Sequence, residues 1–211
     1  MYVPASFAMD DDAVRDLLHH HGAADLVTAT PTGLRATMLP FVYEPDVGDQ
    51  GALLGHVART NDQWRSDVVG EALVIVRGPD AYVSPTWYPS KAEHGRVVPT
   101  WNYLTAHVYG QLAVRDDPRW VETLVRRLTA KHESGMPRPW TVDMAPPAFV
   151  AGQLRAIVGV ELSISRIEAK AKMSQNRPAA DVDGVIAGLE QQGEHAVADA
   201  VRDGRGRHGR R

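Results

Sequence analysis

The sequence predicts a mainly β protein of the α+β class: an antiparallel barrel, closed or nearly so, of six or seven strands with peripheral helices. Three observations carry the prediction. Runs rich in β-branched residues recur as "ADLVTAT", "LRATMLPFVY", "ALLGHVA", "EALVIVRG", "HVYGQLAV" and "IVGVELSISRIEAKAKM". Turn-formers such as "PTG", "EPDVGDQG" and "NDQWRSDVVG" separate them, and the few helices between argue against a doubly wound parallel sheet. At 211 residues the chain is also long enough to close one core.

Each element has its own signal. Asp10 to Asp12 precede "AVRDLLHHHG", where Val14, Leu17 and Leu18 line one face and Gly22 stops the turn, so a short amphipathic helix opens the chain. The first four strand runs follow. A fifth run comes after an aromatic block, and Asp116 and Asp117 before Pro118 then start a helix with Trp120, Val121, Leu124, Val125 and Leu128 on one side. A weaker helix pattern lies in "PAFVAGQLRAI", ahead of the longest strand run. The alanines and glycines of "DVDGVIAGLEQQGEHAVADAV" predict a thin, peripheral helix. "RDGRGRHGRR" carries no apolar side chain and reads as a disordered basic tail. The organisation expected is one domain over residues 1–189 with a helical extension and tail over 190–211.

Composition excludes several chemistries. There is no cysteine, hence no disulfide, thiolate metal site or cysteine nucleophile. The net charge of -3 gives no global attraction to nucleic acid or anionic membranes. The N-terminus lacks a basic and then apolar leader, and no run is long enough to span a bilayer, which points to a cytoplasmic protein without membrane contact. No G-x-S-x-G, Walker or G-x-G-x-x-G pattern occurs. "HHH" at 19–21 has no histidine four residues on to make a metal pair and reads as a solvated helix end. Glu93 and His94 are neighbours in a loop, a weak acid–base candidate.

Three stretches can hold a ligand. In "GHVARTNDQW" a strand with His56 and Arg59 runs into Asn61, an N-cap residue, so a following helix N-terminus and an arginine fork would seat a phosphate. Residues 81–110 gather two of five tryptophans, four of six tyrosines and three prolines around Lys91, His94 and Arg96, which suits a planar ligand or a subunit interface. "KAKMSQNRP" crowds Ser174, Gln175, Asn176 and Arg177 at a strand end, where polar groups read a polar ligand. The competing readings are an ordinary cap, rings that close the core, and a solvated loop.

Together with "MYVP", "ATMLP" and "HVYG", these stretches resemble the PaiB-type family of FMN-binding negative transcriptional regulators, in the family's order and over about residues 1–189. The resemblance implies a split β-barrel like that of pyridoxamine-phosphate oxidase, FMN as cofactor, and a homodimer with flavin at the subunit interface. It implies flavin contacts from Thr37, Leu39 and Pro40, from His56, Val57, Ala58, Arg59, Thr60 and Asn61, from Lys91, Thr100, Trp101 and Asn102, and from Ser174, Gln175 and Asn176, with no metal. The sequence departs from the family pattern at Met38, Asp62 and Ala171. Asp62 is repulsive to a phosphate unless Arg59 or a helix N–H engages it.

Three function classes stay open: the negative regulator the family implies, a flavin-dependent oxidoreductase acting on a small molecule, and a flavin or haem carrier with His56 or His107 as iron ligand. No helix-turn-helix is legible. The one arginine cluster, Arg202 to Arg211, would give DNA only weak, salt-sensitive and non-specific affinity.

Overall fold

A computed structural model describes the backbone of residues 1–208 and side chains through residue 204. Six strands close into a ring in the order β1-β2-β3-β6-β5-β4: β1 Ala23–Thr30, β2 Gly33–Glu44, β3 Ala52–Ala58, β4 Ala72–Val83, β5 Thr100–Arg115 and β6 Ile157–Lys172. Helices are α1 Asp11–His20, α2 Ser90–His94, α3 Pro118–Glu133, α4 Pro147–Arg155, α5 Ala179–Gln191 and α6 His195–His208. The chain forms two compact units, residues 1–15, 77–106 and 168–211 in the first and residues 16–76 and 107–167 in the second.

The second unit holds all of β1, β2 and β3. Antiparallel register runs Leu26 opposite Thr37, Tyr43 opposite Leu53, and Gly55 opposite Val160. Alternation puts Ala24, Leu26, Leu39, Phe41 and Leu53 inside, all at most 4% exposed. Gly55 is part of that packing, because a Cβ there would stand 2.8 Å from Leu39 Cδ1 and 2.9 Å from Phe41 Cδ1. On the outside of the sheet α3 buries Leu124 and Leu128 against Ala52 and Leu54, with Trp120 and Val42 at the margin. Asp117 caps α3 by accepting from the N–H groups of Arg119 and Trp120.

The first unit has a core of its own. Ala81, Val83, Tyr88 and Met173 pack with Val182, Val185 and Leu189 of α5 and with Val197, Ala198 and Val201 of α6. This corrects the expectation of a thin peripheral helix: there are two helices, and they build the core. The glycines that weaken α5 as an isolated helix make room for Trp87, whose Cδ2 lies 2.2 Å from where a Cβ on Gly188 would be. The tail differs too. α6 continues through His208, and Arg202 is ion-paired with Glu190 and Asp199, so the helix extends well into the basic segment. Gly209, Arg210 and Arg211 lie outside the described residues.

The histidine run also departs from expectation. His19 and His20 are exposed, but His21 is buried at 4%. Its Nδ1 is 2.6 Å from the Leu18 carbonyl, and its Nε2 has no partner among the described residues. Burial first, then the charge of Lys131, pulls its pKa down to about 4. Among the described residues no cluster of three or more metal-ligating side chains exists, and no helix is long and apolar enough to cross a membrane.

Candidate functional site

In the second unit the expected phosphate seat is already hydrogen-bonded. Arg59, at the end of β3, lays its fork on Asp116, Nη1 to Oδ2 at 2.9 Å and Nη2 to Oδ1 at 2.5 Å. Its Nε donates to the Arg155 carbonyl at 2.8 Å, and Nη2 also donates to the Ile157 carbonyl at 3.1 Å. The hydrogen bond from Arg59 holds the Asp116 carboxyl below its ordinary pKa, and the same bond raises that of Arg59. Arg59 therefore clips β3 to the start of α3 and the end of α4, with four of its hydrogen-bond contacts spent inside the protein.

Asn61 is an N-cap as the sequence implies, accepting from Gln63 N–H at 2.8 Å. The element it caps is a four-residue 3-10 turn, Asp62–Arg65, too short to act as a helix N-terminus. Asn61 Nδ2 donates to Thr37 Oγ1 at 2.9 Å, Thr37 donates to Gln63 Oε1 at 2.5 Å, and Gln63 Nε2 donates to Thr28 Oγ1 and the Leu26 carbonyl. The network is closed, and Gln63, 3% exposed, is its centre. Asp62 is exposed and faces Arg65 at 3.8 Å, not Arg59. Leu39 and Val57 are buried, each 4% exposed, and Pro40 is half-buried opposite Ala23. His56 is half-buried, its Nδ1 has no partner among the described residues, and burial lowers its pKa. Ala58 and Thr60 are exposed, and the Thr60 side chain makes no hydrogen bond among the described residues.

The first unit brings a second group together. Asn102, fully buried at the start of β5, hydrogen-bonds Ser174 at 3.0 Å, and Thr100 accepts from Lys172. Ser174 sits at φ 60°, a left-handed conformation uncommon for a residue with a side chain. Gln175 spans the same turn, accepting from Met173 N–H at 2.6 Å and donating to the Ala171 carbonyl at 2.5 Å. Asn102, Ser174 and Gln175 thus shape the turn after β6. Trp101 is 48% exposed, donates to Asp80 at 2.8 Å and meets Tyr82 edge-on at 6.2 Å. Among the described residues, Lys91, exposed on α2, and Asn176, in the turn, have side-chain donors without a partner.

The aromatic block divides accordingly. Trp87 and Tyr88 belong to the core, and α2 is fixed because buried Asp181 accepts from Ser90 N–H at 3.1 Å and Ser90 Oγ at 2.8 Å. Glu93 and His94 do not pair; His94 Nδ1 accepts from Arg96 N–H at 3.0 Å. Sequence reasoning missed Gln63, Asp116 and Asp181. A buried-glutamine signal was present only as the second residue after the Asn61 cap, and the two aspartates act 57 and 91 residues away from their partners.

Comparison with known proteins follows the same lines. The family model described as "Putative FMN-binding domain" matches residues 1–166. The chain belongs to this FMN-binding family. It is 30% identical over 194 residues, 91% of this chain and 90% of the relative, to "Protease synthase and sporulation protein PAI 2" of Bacillus subtilis. It is 32% identical to an uncharacterized protein of Emericella nidulans, covering 81% of this chain and 82% of that one. Among solved structures, a conserved hypothetical protein of Mycobacterium tuberculosis superposes with a TM-score of 0.59 at 13% identity, covering 84% of this chain and 94% of that one. The PaiB resemblance, the split-barrel fold and FMN as cofactor of the family all stand. The donor chemistry of each unit taken by itself fits that cofactor: among the described residues, Thr60 in the second unit, and Lys91 and Asn176 in the first, are polar side chains without a hydrogen-bond partner, of the kind a phosphate or a ring edge requires.

Proposed function

We propose that this protein is an FMN-binding homodimer of PaiB type whose role as a negative transcriptional regulator is exerted through its flavin. The observation that carries this reading is the family match over residues 1–166, which takes in β1 to β5 entire and runs into β6. FMN, when bound, supplies a redox-active ring. The chain's own part is to bind and orient it. Each unit has its own candidates: in the second, Thr60 offers a hydroxyl donor; in the first, Lys91 offers a cation for an anionic group and Asn176 an amide for a polar ring edge. Arg59 acts from behind, fixing the backbone that leads into Thr60.

The dimer reading is supported by apolar surface. On β2, Leu34 is 78% and Met38 71% exposed, and Val69, bonded through its N–H to Ala29, is 58% exposed. Register lines Met38 up with Asp25 and Ile75, and Ala36 with Val27 and Leu73, making a three-stranded outer face that is largely apolar. Met38→Glu is expected to leave the monomer folded and to weaken dimerisation by about 1–2 kcal/mol. Light scattering across a concentration series reads this; a wild-type monomer at micromolar concentration contradicts the dimer.

Regulation through flavin is tested by gel shifts at stated salt with the FMN-loaded and flavin-free protein. Removing residues 205–211 is expected to abolish salt-sensitive retention of any duplex and to leave flavin binding intact. A truncated, flavin-free protein that still prefers one promoter contradicts the proposal.

A further inference from the structure

The second unit has a cavity of about 560 Å³ that the flavin residues, Arg59 apart, do not line. Its wall is aliphatic: Val121 from α3, Ala151 and Leu154 from α4, and Ile157 from the start of β6. That volume lies within the range of small-molecule pockets. Among the described residues no aromatic side chain lines it, so none of them offers a face for a flavin ring to stack on.

Five charged side chains border the cavity, and three of them are spent. Arg59 and Asp116 neutralise each other, and Glu122 accepts two hydrogen bonds from Arg126, at 3.0 and 2.9 Å. The other two are Arg119 and Arg155, whose side chains have no hydrogen-bond or ion-pair partner among the described residues. Two unpaired guanidiniums beside an aliphatic wall are complementary to an acid head on an apolar body. A guanidinium fork pairs with two oxygens of a carboxylate or phosphate, and the aliphatic side chains cover the tail.

We propose that this cavity is a second ligand site, for a small aliphatic acid carried as a carboxylate or as a phosphate monoester. Arg119 and Arg155 hold the head, and Val121, Leu154 and Ile157 hold the chain. The site is separate from flavin binding and does not depend on it.

Isothermal titration of the full-length protein with sodium octanoate and with n-octyl phosphate tests it, with 1-octanol as the uncharged control. At least one of the two acids is expected to bind the wild type, and the tighter names the head group. Affinity should fall about tenfold or more in the double variant Arg119→Gln/Arg155→Gln, and octanol should bind correspondingly worse than the acids. Leu154→Asp, which places a carboxylate in the wall, should abolish binding. Both arginines are exposed and, among the described residues, unpartnered, so the double variant should melt with the wild type; if it does not, Arg119→Gln alone gives the same comparison. Saturation with FMN should leave the acid's affinity unchanged. Failure of both acids to bind, equal binding by the arginine variant, or displacement by FMN would overturn the proposal.

Discussion

Helix α3 in the second unit and helix α5 in the first solve the same packing problem from opposite sides. On α3 a tryptophan projects from the helix onto a strand glycine: a Cβ on Gly159 would lie 2.2 Å from Trp120 Cζ3 and 2.8 Å from the Arg115 carbonyl oxygen. On α5 the helix supplies the glycines. Trp87, in a 3-10 turn, covers Gly188, and its carbonyl oxygen would be 2.0 Å from a Cβ on Gly184. The same ring-on-glycine contact thus appears once with an amphipathic helix and once with a helix that composition marks as weak. Helix propensity and helix importance are separate quantities, because packing against a large ring outweighs the roughly 1 kcal/mol that glycine costs.

The largest effects that test this parallel are on the rings. Trp87→Ala and Trp120→Ala should each destabilise by about 3 kcal/mol or somewhat more, read by urea denaturation. If Trp87→Ala costs no more than a surface substitution, α5 is the peripheral helix its composition suggests and the parallel fails.

A pH experiment separates the two regions. His21 lies in the second unit, and its folded pKa of about 4 is below the ordinary 6.5. The unfolded chain therefore binds this proton more readily. The contribution is present in full above pH 6.5, is lost as pH falls toward 4, and amounts to about 2–3 kcal/mol across that window. Stability at pH 7 minus stability at pH 4.5 should shrink in His21→Gln by most of that amount, and an unchanged difference assigns the pH dependence elsewhere.

Next come the glycines. Gly188→Ala and Gly159→Ala should each cost about 1–3 kcal/mol through overpacking, although alanine is the better residue in a free helix. A stabilised Gly188→Ala protein would show that Trp87 can move aside. The smallest effect is expected for Arg202→Ala, whose ion pairs with Glu190 and Asp199 are exposed to solvent and should leave the melting midpoint within experimental error.

How much of this was legible in the sequence follows from range. The six strands and α3 were, because alternation and helical spacing are local signals, and β5 differs only in starting earlier, at Thr100 inside the aromatic block. α5 and α6 were misjudged because the value of Gly188 depends on Trp87, about a hundred residues earlier. Of the candidate site, Asn61 was visible as a cap, but its consumption by Thr37 and Gln63 was not. Arg59 looked free for phosphate until Asp116 and the carbonyls of Arg155 and Ile157 came into reach. Arginines are easy to find in a sequence. Whether each is spent is a tertiary fact, and here it separates Arg59 from Arg119 and Arg155.

The central claim is that this fold holds FMN, and the most direct test is titration of flavin-free protein with FMN, followed by flavin absorbance and fluorescence. The account predicts saturable binding with a shifted and structured flavin band, weakened by Thr60→Ala or by Lys91→Ala according to which unit seats the flavin. Protein that is folded by circular dichroism yet leaves the spectrum of free FMN unchanged at every ratio would contradict it.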